Sequence, residues 1–196
     1  MNRPLKLIFV LAVSSLLFSP AVSAESDPSS VSTMSQLDAA VAENPKDAKA
    51  LYNRGTAYLE AKQYDAAIRD LSAALAVEPS APDVYYNRGL AYRQTNRIPE
   101  AIADYTKAIS LDPDQPDYYF NRGNAYIVRG SFADAIADFS KSIELGPGDA
   151  RAYLLRGLAE MFKGDKTAAI TDANEALRLD PGYADAARLK KEASEK

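Results

Sequence analysis

Along residues 48–183 the pattern of apolar, small and polar side chains returns every 34 residues. It is plainest in four pentapeptides, LYNRG (51–55), YYNRG (85–89), YFNRG (119–123) and YLLRG (153–157). Counting each unit from Ala48, Pro82, Pro116 and Ala150, position 8 is Gly55, Gly89, Gly123 and Gly157. Position 20 is Ala67, Ala101, Ala135 and Ala169, and position 27 is Ala74, Ala108, Ser142 and Ala176. Position 4 is large (Leu51, Tyr85, Tyr119, Tyr153), and position 11 is Tyr58, Tyr92 and Tyr126 until Glu160 ends the series. Small residues at 8, 20 and 27 let two antiparallel helices approach closely, with bulky side chains filling the space beside them. Pro79, Pro113, Pro147 and Pro181 at position 32 lack an amide hydrogen and end the second helix of each pair. Asn96, Gly130 and Gly164 fall between the two helices, where a left-handed residue closes the first.

One such hairpin cannot bury its apolar stripe alone, so the expected organisation is a stack with capped ends. The units run 48–81, 82–115, 116–149 and 150–183. Upstream, residues 33–47 read as a second helix without its first, because Leu37, Ala40 and Pro45 keep the phase of positions 24, 27 and 32. Downstream, residues 184–196 read as a charged helix capping the last unit.

The period and these positions closely resemble the tetratricopeptide repeat family. The resemblance implies an all-α solenoid of stacked antiparallel hairpins wound into a right-handed superhelix. It also implies that positions 2, 5, 6, 9, 12 and 13 of each first helix face a concave groove that holds a protein or peptide partner. Candidate groove contacts are then Tyr52, Asn53, Tyr86, Asn87, Arg93, Phe120, Asn121 and Asn124. Asn53, Asn87 and Asn121 recur at position 6, and an amide ladder suits the repeating NH and CO groups of an extended main chain. Local packing is the competing account of the same asparagines. The family's clamp for chaperone C-termini needs Lys at position 5 and Arg at position 6, and neither occurs here. Asn124 and Arg151 match isolated elements of that clamp only.

Two further series stand out. Arg54, Arg88, Arg122 and Arg156 at position 7 accompany Asp70, Asp104, Asp138 and Asp172 at position 23, which predicts structural ion pairs. In the fourth unit Leu154, Leu155, Leu158, Met161 and Phe162 recur at helical spacing where earlier units are polar. They read either as an apolar pocket for a partner side chain or as core beneath the last helix.

The N-terminus changes the expected compartment. Arg3 and Lys6, an apolar run over 7–18 and the small residues of AVSA (21–24) form the three parts of a secretory signal peptide over 1–24. Residues 25–32 are a polar tether, expected to be disordered. The reading is an exported protein, periplasmic in a Gram-negative cell and otherwise secreted. No membrane insertion is expected once the signal is cleaved.

Without residues 1–24 the chain carries 21 basic against 27 acidic side chains, a net charge of −6, which disfavours nucleic acid as a partner. The absence of His and Cys removes imidazole bases, thiol nucleophiles and the usual zinc ligands. No Gly-rich phosphate loop occurs, so neither a catalytic site, a metal nor a cofactor is expected. The function implied is a non-enzymatic adaptor or scaffold. Self-association into an envelope assembly and binding of a glycan on the tyrosine-lined face are the alternatives.

Overall fold

The computed structural model of the chain describes residues 34–195, and among these every regular element is an α-helix. The signal peptide and the tether expected over 1–32 lie outside the described residues. The described chain divides into two compact units, 34–113 and 114–195.

The N-terminal unit holds α1 (Met34–Glu43), α2 (Ala48–Glu60), α3 (Tyr64–Val77), α4 (Pro82–Gln94) and α5 (Ile98–Leu111). The C-terminal unit holds α6 (Pro116–Arg129), α7 (Phe132–Leu145), α8 (Ala150–Lys163), α9 (Lys166–Leu179) and α10 (Ala184–Ser194). Within each unit successive helices pack as antiparallel hairpins, α2 on α3 and α4 on α5, then α6 on α7 and α8 on α9. Helix α1 packs on α2, and α10 packs on both α8 and α9.

Local chemistry sets the boundaries. Asp47 caps α2 by accepting from the Lys49 and Ala50 amides at 2.9 and 3.1 Å. Pro82 and Pro116 open α4 and α6, where a missing amide hydrogen leaves nothing unpaired. At the other end, Glu78, Asp112 and Asp180 each precede a proline and adopt φ of −126°, −140° and −133°. Crowding by the following ring excludes the helical region there.

Each first helix closes on a left-handed residue: Asn96 at φ 60°, Gly130 at 83° and Gly164 at 94°. The matching turn of the first hairpin uses Lys62 at φ 59°, a strained choice that residue type did not announce. The next amide bonds back five residues in every case, from Gln63, Arg97, Ser131 and Asp165 to the Tyr58, Tyr92, Tyr126 and Glu160 carbonyls at 2.8–3.0 Å.

The glycines at position 8 mark where the helices of a hairpin cross most closely. A Cβ on Gly89 would sit 2.7 Å from Tyr105 Cε1, and one on Gly55 would sit 2.8 Å from Leu71 Cγ. These partners stand at position 24, and both are buried (Tyr105 0 % and Leu71 0 % exposed). In the C-terminal unit Phe139 fills that place against Gly123, while the last hairpin has only Ala173 there. Leu189 of α10 supplies the missing bulk, its Cδ2 lying 3.0 Å from a Cβ built on Gly157. The capping helix therefore completes the last hairpin's core as well as covering it.

Candidate partner-binding face

The four expected ion pairs all form, each between the two helices of one hairpin. Arg54, Arg88, Arg122 and Arg156 bind Asp70, Asp104, Asp138 and Asp172 through Nε and Nη2, with all eight bonds between 2.6 and 3.0 Å. This is the bidentate fork that suits guanidinium to carboxylate. The Asp side chains are 6–12 % exposed. Their hydrogen bonds hold the Arg54, Arg88 and Arg156 guanidinium groups above their ordinary pKa, against the opposing pull of burial.

Aromatic rings at positions 4 and 11 flank these cations. Arg88 lies 5.6 Å from the Tyr85 and Tyr92 centroids, and Arg122 lies 5.8 Å from those of Tyr119 and Tyr126. Arg54 and Arg156 have one ring each, because Leu51 and Glu160 break the aromatic series. A third bond reaches back to the preceding helix: Arg54 Nη1 to Asp38, Arg88 Nη1 to Ser72 and Arg156 Nη1 to Ser140, at 3.0–3.1 Å. Asp38, Ser72 and Ser140 share position 25, a hydroxyl-or-acid series at the repeat spacing.

The candidate groove residues differ from one another. In the N-terminal unit Asn53 is exposed, and Tyr52 and Tyr86 are half-buried. Asn87 Nδ2 donates to Tyr52 Oη at 3.2 Å and to Thr56 Oγ1 at 3.4 Å, so this amide joins α4 to α2. Burial pushes the Tyr52 phenol above its ordinary pKa, and the nearby Asp83 charge adds to it. The Thr56 and Asn87 hydrogen bonds oppose both. Arg93 is 8 % exposed.

In the C-terminal unit Asn121 is buried and its Nδ2 donates to the Asp117 carbonyl one turn earlier, at 2.9 Å. Asn124 is buried as well. Phe120 packs edge-on against Phe139 with centroids 5.8 Å apart and carries Arg151 over its face at 5.1 Å. The three asparagines are therefore one solvated amide, one inter-helix link and one buried helix-side bond. An amide hydrogen already donated within the protein is not offered to an incoming main chain.

Of the two readings of Leu154, Leu155, Leu158 and Phe162, a pocket or core beneath the last helix, the leucines fit the core. The three leucines are 0, 1 and 4 % exposed and belong to the same core cluster as Leu189 of α10. Phe162 is half-buried and stacks on Phe132 at 4.9 Å with the planes 6° apart. Leu154, Leu155 and Leu158 serve cohesion of the last hairpin, and they present no surface to a partner.

Among the described residues no group of three or more acidic side chains is arranged to hold a metal ion, and no helix is long and apolar enough to cross a membrane.

Tetratricopeptide repeat family models match residues 37–69, 55–94, 89–128 and 120–184. The chain belongs to the tetratricopeptide repeat proteins. Among solved structures it is similar to MamA, with 26 % identity and a TM-score of 0.74, covering 77 % of this chain and 88 % of that one. YrrB, described as a tetratricopeptide protein with an unusual peptide-binding site, shares the fold at 22 % identity and TM-score 0.74, with 81 % of each chain covered. The first tetratricopeptide domain of Spaghetti (RPAP3), solved bound to the HSP90 peptide SRMEEVD, gives 29 % identity and TM-score 0.56 over 58 % of this chain and 90 % of that one. Among curated proteins none matches the sequence.

Proposed function

We propose that this protein is an exported, non-catalytic adaptor that holds an extended segment of a partner protein against the first-helix face of its N-terminal unit. The observation that carries the reading is the Asn87 link between α4 and α2, flanked by exposed Asn53 and half-buried Tyr52 and Tyr86. It gives a pre-ordered polar and aromatic surface, which limits the ordering entropy lost when a flexible chain docks. Membership of a repeat family with peptide-bound relatives supports the same reading. Export rests on the three-part leader over 1–24, with the compartment being the periplasm in a Gram-negative cell and the medium otherwise.

Two measurements test the proposal. Cross-linking in intact cells through a photoreactive group at Asn53, with the same group at exposed Lys190 of α10 as control, should capture a distinct partner from position 53 alone. Identical capture from both positions defeats the binding-face assignment. Amino-terminal sequencing of the mature protein should begin at Glu25, and a start at Met1 in protein recovered from the cytoplasm removes the export claim.

A further inference from the structure

Position 12 of the four repeats is Leu59, Arg93, Ile127 and Met161, and position 24 is Leu71, Tyr105, Phe139 and Ala173. Only the second repeat places polar groups at both, and the structure brings the two together. Tyr105 is 0 % exposed on α5, and its ring lies 5.9 Å from that of Tyr86 on α4. Arg93 stands two turns beyond Tyr86 on the same face of α4 and is close enough to lower the Tyr105 pKa, although burial raises it more. Yet neither Arg93 Nε nor Tyr105 Oη makes a hydrogen bond of acceptable geometry, and both atoms are buried. No described carboxylate lies within 4.0 Å of Arg93. The four position-7 arginines, by contrast, each have a bidentate aspartate.

Arg93 is 8 % exposed as a residue, and an arginine buried to that degree without a counter-ion is an expensive arrangement, to which the unpaired buried Nε adds. Both orphan groups can donate. A guanidinium only donates, and the phenol has a hydroxyl hydrogen to give. The complement of two converging donors and one positive charge is an anionic group with two acceptor oxygens. Arg93 keeps 8 % exposure where Tyr105 keeps none, so the cation is what an arriving anion meets first.

We infer that Arg93, backed by Tyr105 and bordered by Tyr86, receives a side-chain carboxylate, Asp or Glu, of the partner segment. The inference rests on the peptide-holding reading above and adds the partner's chemistry. It differs from the family's chaperone clamp, whose Lys at position 5 and Arg at position 6 are absent from this chain.

The test uses the full chain and a displayed library of random twelve-residue peptides. Wild type should enrich Asp or Glu at one fixed place in the selected peptides, and Arg93→Met, which keeps an apolar stem, should enrich none. Replacing that acid by Gln in a selected synthetic peptide should weaken binding to wild type about tenfold and to Arg93→Met less than about twofold. Amidating the peptide's C-terminus should leave both affinities unchanged, because the acid read is a side chain; loss on amidation alone overturns the assignment to Asp or Glu. Peptides selected with no acid preference, or with the same preference in Arg93→Met, overturn the inference and leave the peptide-holding reading standing. No peptide selected at all overturns both. Thermal melting gives an independent readout. Arg93→Met should melt at or above the wild-type temperature, since an uncompensated charge is removed, and a clear drop would mean that the fold already satisfies the guanidinium.

Discussion

At positions 5, 6 and 9 the N-terminal unit carries Tyr52, Asn53 and Thr56, then Tyr86, Asn87 and Leu90, whereas the last hairpin of the C-terminal unit carries Leu154, Leu155 and Leu158. The backbone plan is the same, with one glycine at position 8, one Arg–Asp pair and one turn per hairpin. What differs is whether another element lies over the first helix. Helix α8 has α10 packed on it and has turned apolar there, while Tyr52, Asn53 and Thr56 of α2 and Tyr86 and Asn87 of α4 stay polar and at least partly exposed; Leu90 alone of that set is apolar and buried. A repeat position therefore has no fixed chemical meaning. Its neighbour decides whether it is a surface or a core.

The contrast breaks most easily at Leu189, which is 1 % exposed and fills the space that Ala173 leaves. Leu189→Ala should destabilise the C-terminal unit by about 2–5 kcal/mol, transfer and cavity terms together. Urea unfolding followed by hydrogen exchange should show the loss in α8 and α9 first. A change below about 1 kcal/mol would place α10 outside the core and end the comparison.

The next largest effect lies in what the two units share. Asp104→Ala and Asp172→Ala each strand a partly buried guanidinium and should cost about 3 kcal/mol, in the N-terminal and C-terminal unit respectively. Replacing both members of a pair, as in Arg88→Met with Asp104→Leu, should recover most of that loss. Chemical denaturation of these three variants checks this. A double variant as unstable as Asp104→Ala alone would mean that the ring contacts of Arg88 matter more than the pair.

The period, the hairpins, the proline stops and the Arg–Asp pairs were legible because each depends on residues a fixed distance apart within one repeat. Side-chain size at positions 8, 20 and 27 says where helices must cross, and charge recurring 16 residues apart says what links them. Three features were not fully legible. Leu154, Leu155 and Leu158 left pocket and core both open, because the cover that decides comes from Leu189, outside the repeat. Asn53, Asn87 and Asn121 looked equivalent because residue type cannot tell which amide finds Tyr52, which finds a carbonyl and which meets solvent. Lys62 in a left-handed turn was hidden for a related reason: the hairpin geometry imposes that conformation on whatever residue stands there.

A smaller effect separates the asparagines. Asn87→Ala removes the bonds to Tyr52 and Thr56 and should cost about 0.5–1.5 kcal/mol. Asn53→Ala, at an exposed site, should stay within about 0.5 kcal/mol of wild type. Equal losses in thermal melts would restore the view of position 6 as a uniform series.

The smallest effect at neutral pH, and the finest distinction between the units, concerns one buried and one half-buried phenol. Burial raises the Tyr105 pKa in the N-terminal unit, and it raises Tyr183 to about 12 in the C-terminal unit, where Asp185 and Asp149 add their charge. A phenol whose folded pKa exceeds its unfolded value of 10.0 leaves stability untouched below that pH. Above it the unfolded chain releases the proton while the folded chain holds it, so stability falls as pH rises. Tyr105→Phe and Tyr183→Phe should therefore match wild type at pH 7 within about 0.5 kcal/mol and unfold less readily above pH 10. Salt separates them. At Tyr183 the two aspartate charges add to each other and are screened as ionic strength rises, whereas at Tyr105 the Arg93 and Asp104 charges oppose one another and leave desolvation, which salt does not screen. Added salt should thus shrink the alkaline advantage of Tyr183→Phe and leave that of Tyr105→Phe in place. Equal salt dependence in melts across pH 9 to 11 would mean that both phenols answer to the same cause.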